Sequence, residues 1–334
     1  MNSITALVCL VRLAAVAILV SGAAVSTALA QYPDRTIRVI IPFAGAGTTD
    51  IVTRILLERV SQSVGRSIVI DNRPGAAGNI GLDQVAKSAP DGYTLVTGDP
   101  LSTMPANATL FSDISFHPVR DLSPIANFGV TDVGLVVTAS LPAKNLQEFV
   151  ALAKARPGEL LYGSTGNGTP GHLNGVLLSR LLGINTVHVP YRNGGQGTTD
   201  LLTGRIHFWV APIPTRLEQV RRGQLRVLAV ARSERSPDLP DVPTIKEAGF
   251  GEFEASTAYA IFAPKGTPDP VIEKLYGEVR KALADESVHK RFLTTGVEPK
   301  LIAPADVTKM MEAQIARWAD VIKSAGIRIE NAAQ

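Results

Sequence analysis

A rhythm constrains this chain more than any single motif. After residue 31, short β-branched runs alternate with helical stretches, and glycine-rich loops join them. Residues 37–41 read as a strand and 49–60 as a helix, with Ile51, Val52, Ile55, Leu56 and Val60 at helical spacing. Strand 68–70, helix 77–87 and strand 93–97 continue the pattern, the last after an Asp91-Gly92 turn. It resumes as helix 148–155, strand 160–163, helix 172–182, strand 187–189, helix 199–202 and strand 206–210. Strands separated by helices are joined by crossovers and run parallel, which gives an α/β fold class. Two runs, 134–138 and 258–263, stand apart from the rhythm. Were the chain to cross to a second lobe at the first and return at the second, lobe I would hold residues 31–132 and 260–334, and lobe II residues 133–259. A pair of crossover strands is what a hinge needs. After Asp306, the residues Val307, Met310, Met311, Ile315, Trp318 and Ile322 describe an amphipathic helix stopped near Gly326. Their Met and Trp stripe reads as core packing.

The first thirty residues follow a different logic. They hold one charge, Arg12, then an apolar stretch from Leu13 to Val20, and end in the small-x-small site Ala28-Leu29-Ala30. That layout predicts a secretory signal peptide cleaved after Ala30, and hence a periplasmic protein; the alternative is an N-terminal membrane anchor. The single cysteine, Cys9, lies in this segment, so residues 31–334 carry no thiol for a disulfide, a metal or a nucleophile. With 45% hydrophobic and 19% charged residues, the whole chain has the balance of a globular protein. The net charge is +3, and Lys and Arg are dispersed, with pairs such as Arg221-Arg222 and Lys290-Arg291 rather than runs. A nucleic-acid interface needs clustered cations, so that class falls away.

Three glycine-rich loops follow predicted strands. They are Pro42-Phe43-Ala44-Gly45-Ala46-Gly47-Thr48-Thr49-Asp50, Gly163-Ser164-Thr165-Gly166-Asn167-Gly168-Thr169-Pro170-Gly171-His172, and Pro190-Tyr191-Arg192-Asn193-Gly194-Gly195-Gln196-Gly197-Thr198-Thr199-Asp200. Glycine lets a ligand approach the main chain closely, and a helix start offers N–H groups without internal partners at the positive end of the helix dipole. Together these make a site for a carboxylate or phosphate. The run Gly45–Thr53 matches Gly195–Thr203 at most positions, one copy in each expected lobe, which suggests two helix N-termini facing across a cleft. The plainer reading is that both are simply good helix starts.

The catalytic inventory is thin. No two of His117, His172, His188, His207 and His289 are four residues apart, and no H-E-x-x-H occurs, so no metal site is expected. Ser164 lacks the G-x-S-x-G spacing of a nucleophile elbow. Gly166–Gly171 fits G-x-G-x-x-G, but the stretch twenty residues on, Val187-His188-Val189-Pro190, offers no acid for a ribose, so no nucleotide cofactor is expected. Asp50 reads as a capping carboxylate. His172 reads either as a ligand contact or as a side chain that holds its loop.

These loops resemble those of the exported substrate-binding proteins of tripartite tricarboxylate transporters, the Bug family. The resemblance extends through Asp71-Asn72-Arg73-Pro74-Gly75-Ala76-Ala77-Gly78-Asn79-Ile80-Gly81, Ala89-Pro90-Asp91-Gly92-Tyr93-Thr94-Leu95, Arg235-Ser236-Pro237-Asp238-Leu239-Pro240-Asp241-Val242-Pro243-Thr244 and Ala263-Pro264-Lys265-Gly266-Thr267-Pro268. It implies a two-lobed periplasmic binding fold of the type II, Venus-flytrap kind, with parallel or mixed sheets flanked by helices. It also implies a monomeric receptor that closes on a small carboxylate and delivers it to a membrane permease. In the family, the loops matching 42–50 and 163–172 clamp a ligand carboxyl through main-chain N–H groups and ordered water. The expected ligand contacts are therefore Phe43, Ala44, Ala46, Gly47, Thr48, Thr49, Asp50, Ser164, Thr165, Gly168, Thr169, His172, Tyr191, Asn193 and Gly194, with Tyr259 as a wall of the cleft.

The chain also departs from the family. Ala46-Gly47 stands where a glycine pair is common, and Arg192-Asn193-Gly194-Gly195-Gln196 replaces a Lys-Gly pattern. Val210-Ala211-Pro212 lacks a frequent Asp, and His207 is unusual. Asp99-Pro100 replaces a small or hydroxyl residue, so Asp99 is expected to add an acidic group that favours a ligand bearing an amine or hydroxyl. Two other functions stay open from the residues alone: a ligand sensor for a signalling kinase, and an exported hydrolase using Ser164 and His172.

Overall fold

The computed structural model describes residues 32–111 and 114–325, so the expected signal segment lies outside the described residues. The chain opens with β1 (Ile37–Ile41), α1 (Thr48–Val64), β2 (Ile68–Asn72), α2 (Asn79–Ala86), β3 (Thr94–Gly98) and α3 (Thr103–Leu110). A long strand, β4 (Leu122–Thr138), leads into α4 (Leu146–Ala155), β5 (Leu160–Ser164), α5 (Pro170–Leu182), β6 (Thr186–Pro190), α6 (Gly194–Leu202), β7 (Phe208–Pro212), α7 (Leu217–Arg221) and β8 (Leu225–Val230). The chain returns through β9 (Ser256–Pro264) and closes with α8 (Asp269–Leu283), α9 (Glu286–Thr294), β10 (Glu298–Ile302) and α10 (Pro304–Ala325).

One curled sheet runs β2-β1-β3-β9-β4-β7-β5-β6, with β10 and β8 also paired to β4. The strands joined through helices are parallel, as the rhythm requires: β1 with β2 and β3, and β5 with β6 and β7. The two that stood apart, β4 and β9, are antiparallel to each other and to their neighbours. β4 pairs with β9 up to Asp132, and from Val133 onward with β7. The change of partner divides the molecule into two halves. At that point the Asp132 carboxylate bonds Arg232 and accepts from Ser236 Oγ (2.9 Å), which fixes the strand where it passes between halves.

Alternation along the strands gives each half a core on both sheet faces. In the first half, Val39 faces a core with Leu56, Phe128 and Phe292, while its neighbour Ile40 faces Leu82, Met104 and Phe262. In the second, Leu135 and Phe208 pack with Phe149 and Tyr162, while Val136 and Trp209 pack on the other side. A smaller cluster joins the halves: Leu110 and Phe111 after α3, Leu173 of α5, and Trp318 and Ile322 of α10. The methionine and tryptophan stripe of the last helix is thus core, with Met311 and Trp318 nearly inaccessible.

Among the elements that differ from the expected pattern, three have a clear cause. The helix α3 was not foreseen because it is buried on nearly every side, so it shows no apolar stripe. β8 is a short apolar run, which periodicity does not separate from a buried helix. α6 begins at Gly194, five residues before the expected start; its glycines lower helix propensity, but Asn193 caps it by accepting from Gln196 N (3.0 Å).

Candidate functional site

The three loops lie at the carboxyl ends of β1, β5 and β6, the edge where open α/β sheets bind ligands. In the first loop Ala46 is left-handed (φ 64°) and Gly47 is the extended N-cap of α1. The first helical bond runs from Ile51 N to Gly47 O, so the amides of Thr48, Thr49 and Asp50 have no helical acceptor. Residues 44–47 are exposed, and Thr48 and Thr49 half-buried. Asp50 is turned inward. Its carboxylate accepts from Ala46 N (3.1 Å), Arg54 Nε (3.0 Å) and Asn72 Nδ2 (3.0 Å), and Asn72 also donates to Phe43 O (3.1 Å). Burial works to raise its pKa, but these bonds outweigh it and hold the carboxyl below its ordinary range. Asp50 is therefore the clamp of the loop, not a free acid.

The second loop rests on a stack of rings. Phe208, Tyr162, His188 and His172 follow one another, with centroids 5.4, 5.0 and 4.1 Å apart. His172 Nδ1 accepts from Gly168 N (3.1 Å), so the loop-holding role is the one seen. Thr169 Oγ1 donates to Gly166 O (2.7 Å). Ser164 is fully buried; its Oγ accepts from Gly166 N (3.0 Å) and lies 2.6 Å from Nε2 of His188, not of His172. That corrects the expected Ser164–His172 pair, and a serine with no exposure offers no nucleophile. Burial lowers the pKa of His172 to about 4 and that of His188 to about 3, the latter helped by His172, so both rings are neutral near pH 7. Only the tip of this loop, Thr165 and Asn167, is exposed.

Gly168 brings the halves together. A Cβ there would stand 2.7 Å from Leu110 Cδ2 and 3.4 Å from Ala77 Cβ, both in the first half. Next to Ala77, a Cβ on Gly78 would stand 3.4 Å from Phe43 Cζ. The first and second loops thus meet through Phe43, Ala77 and Gly168. The third loop lies against the second: a Cβ on Gly194 would stand 3.8 Å from Thr165 Cγ2. Asn193 is exposed at the tip, while Tyr191 is buried, stacked 6.1 Å from Trp209, with its hydroxyl donating to Asp200 (2.9 Å).

Two expected residues fall outside the site. Asp99 is 4% exposed, and its carboxylate accepts from Leu101 N (3.0 Å), Ser102 N (3.3 Å), Ala258 N (3.3 Å) and the Ser102 hydroxyl. Burial raises its pKa, and with four internal donors it forms a turn and ties β9, instead of presenting an acid to a ligand. Tyr259 lies in the core beside Phe128 (6.3 Å) because alternation along β9 points it with Ile261 and Ala263 onto the inner face. His207 also serves the sheet, with Nδ1 accepting from Leu161 N (2.9 Å). Sequence reasoning missed Asn72, Arg54 and His188, which support the loops, and Arg216, a buried cation in the turn after β7. Among the described residues no cluster of three His, Cys, Asp or Glu could hold a metal, and no helix is long and apolar enough to cross a membrane.

Known proteins share this fold. A family model described as the tripartite tricarboxylate transporter family receptor matches residues 52–327. Protein BugT of Bordetella pertussis is 34% identical over 310 residues, covering 93% of this chain and 95% of BugT. Among solved structures, the periplasmic binding protein BugD is similar with a TM-score of 0.80 at 29% identity, over 89% of this chain and 99% of BugD. MatC from Rhodopseudomonas palustris, solved with bound malate, has a TM-score of 0.80 at 33% identity, over 87% of this chain and 100% of MatC.

Proposed function

Because this chain belongs to the tripartite tricarboxylate transporter receptor family, a family of solute-binding receptors and not of enzymes, we propose that it captures a small carboxylate between its two lobes and presents it to a membrane permease. The observation that carries this reading is the start of α1. Three amides without helical acceptors sit behind an exposed glycine tip, and the nearest acid, Asp50, is neutralised by Arg54. Anions bind at such helix starts. The malate held by MatC, a relative of the same fold, supports a carboxylate here too.

In this reading Phe43, Ala44, Ala46, Gly47, Thr48, Thr49, Thr165, Asn193 and Gly194 face the ligand. Asp50, Ser164, Gly168, Thr169, His172 and Tyr191 hold the loops that carry them. Lobe I comprises residues 31–132 and 260–334, and lobe II residues 133–259, with β4 and β9 as the hinge; the change of strand partners at Asp132 supports that division. The receptor acts as a periplasmic monomer exported by a signal peptide cleaved after Ala30, and the periplasmic setting of BugD supports that location.

Closure requires that ligand bind the closed form more tightly than the open one, so ligand must also raise thermal stability, by about 2.7 kcal/mol at a hundredfold excess over Kd. Calorimetric titration of residues 31–334, refolded to strip any carried ligand, tests this against mono-, di- and tricarboxylates, amino acids and sugars. Saturable binding of one carboxylate class is the expected result. Binding of sugars alone, or turnover of an ester without carboxylate binding, would contradict it.

A further inference from the structure

Arg216 is a buried cation with no acidic partner among the described residues. It is 5% exposed, in the turn that follows β7, on the same carboxyl edge as the loops after β5 and β6. Its guanidinium lies 4.5 Å from the centre of the Trp209 ring, and Nη1 donates to Thr215 Oγ1 (2.9 Å). Nε is buried and donates to nothing. Among the described residues no carboxylate is within ion-pair distance of it, whereas Arg205, Arg222 and Arg232 each have one, in Asp200, Glu218 and Asp132. Burial lowers its pKa to about 10, which still leaves a full positive charge at neutral pH.

A desolvated charge is tolerated in proteins when something of opposite sign meets it. The stack on Trp209 and one neutral hydrogen bond offset only part of that penalty. The position is also built. Trp209 is the plate beneath the loops: a Cβ on Gly163 would meet its ring at 2.6 Å, one on Gly171 its Nε1 at 2.8 Å, and one on Gly197 its far edge. The turn itself is pinned at the crossover, with Ile213 N donating to Asp132 O (3.0 Å) and Pro214 filling the space in front of Gly296. The guanidinium is thereby held on a rigid ring at the hinge end of lobe II. Guanidinium is the side-chain group best shaped to take a carboxylate with two parallel bonds.

We infer that Arg216 determines specificity by receiving a second acidic group of the ligand, so that di-acids are preferred over mono-acids of matching length. This rests on the carboxylate-receptor reading above. The α1 amides take one carboxylate from lobe I, Arg216 takes the other from lobe II, and a di-acid therefore links the lobes where a mono-acid cannot. An arginine kept without a partner in the free protein also carries a consequence that a packing role does not: removing its charge stabilises the unliganded chain.

The test pairs succinate with butyrate, glutarate with valerate and adipate with hexanoate, titrated against the wild-type chain, Arg216→Met and Arg216→Lys. The wild type is expected to favour at least one di-acid over its partner by about 10- to 100-fold, the value of a hydrogen-bonded charge pair. Arg216→Met, which keeps most of the apolar stem, is expected to lose that preference while binding the mono-acids within about threefold of wild type. Its unliganded melting temperature should rise. Arg216→Lys, with charge but no planar fork, should fall between. An unchanged di-acid preference in Arg216→Met, or a fall in its unliganded melting temperature or a failure to fold, would overturn the assignment while leaving carboxylate binding intact. Equal binding of each di-acid and its mono-acid partner by the wild type would likewise overturn it, and a wild-type chain that binds none of the six nor any other carboxylate of the wider panel would overturn the receptor reading itself.

Discussion

The first and third loops carry nearly the same words and fold differently. Gly45-Ala46-Gly47-Thr48-Thr49-Asp50 and Gly195-Gln196-Gly197-Thr198-Thr199-Asp200 differ only at their second position. In the first, the helix waits until Thr48, and the two glycines flank a left-handed Ala46 in an exposed tip. In the third, the helix starts at Gly194 and swallows the glycines, with Gly197 packed against Trp209. The difference lies just outside the match. Asn193 supplies a side-chain cap ahead of the third copy, while Phe43-Ala44 supplies none ahead of the first. The shared aspartate follows suit: Asp50 reaches back to the Ala46 amide and draws in Arg54 and Asn72, whereas Asp200 binds Tyr191 and the mostly exposed Arg205. A motif repeated in sequence is therefore not a site repeated in space: Thr48, Thr49 and Asp50 open the first helix with their amides, whereas Thr198, Thr199 and Asp200 lie inside the third.

The contrast can be broken at the aspartates first. Asp50→Ala leaves Arg54, Asn72 and the Ala46 amide without their shared acceptor and should cost about 2 to 4 kcal/mol in urea unfolding, with carboxylate affinity falling alongside. Asp200→Ala removes one hydroxyl partner and a weak surface pair, and should cost about 1 kcal/mol. Equal losses would mean the two copies are built alike after all.

Glycine replacement gives the next largest contrast. Gly168→Ala combines a positive φ (77°) with the close approach to Leu110, and should destabilise by about 1 to 3 kcal/mol while weakening the ligand more than tenfold. Gly195→Ala lies in the first turn of a helix with no contact closer than 3.4 Å, and should stabilise by about 0.5 to 1 kcal/mol. Chemical denaturation of both variants reads the opposite signs.

The histidine stack gives the second loop a pH response that sets in at higher pH than that of the first. Both rings titrate below their ordinary value of 6.5 when folded, to about 4 and about 3. Between 6.5 and those values the unfolded chain takes up protons that the folded chain refuses. Stability is thus fully present above pH 6.5 and declines as pH falls, by up to about 1.4 kcal/mol per unit for each histidine. The depressed pKa of Asp50 adds a loss at lower pH, as its carboxylate protonates. Melting temperatures from pH 7.5 to 4.5 check this, and His188→Gln, which cannot titrate, should flatten the slope.

An effect as small as that of Gly195→Ala is expected at Ala46, where an alanine occupies a left-handed conformation (φ 64°). Ala46→Gly relieves that strain and should raise stability by about 0.5 to 1 kcal/mol net of the freedom it adds to the unfolded chain. Thermal unfolding at neutral pH would show it.

Much of this was readable from residues alone, and what was not has physical causes. The strand-helix rhythm placed β1, α1, β5 and α5 within a few residues because short apolar runs and helical stripes are separated there by glycine-rich loops. The loops after β1 and β5 stood out because capping a helix needs no more than one glycine, whereas bringing a ligand against the main chain needs several. The direction in which a side chain turns was not readable. Asp99 looked like a free acid and is held by four internal donors; Tyr259 looked like a wall and is core. Arg216 went unnoticed because one arginine in a proline-rich turn carries no periodic signal, and its isolation shows only once the surrounding elements are packed.

The receptor reading stands or falls with the open amides at the start of α1, which are to receive the ligand carboxylate. Amide chemical shifts of the labelled protein, followed during titration with malate, probe those groups themselves. The largest shifts are expected at Thr48, Thr49 and Asp50, with smaller ones at Thr165 and Gly194. Saturable binding that leaves Thr48 and Thr49 unmoved while other amides shift would contradict that role.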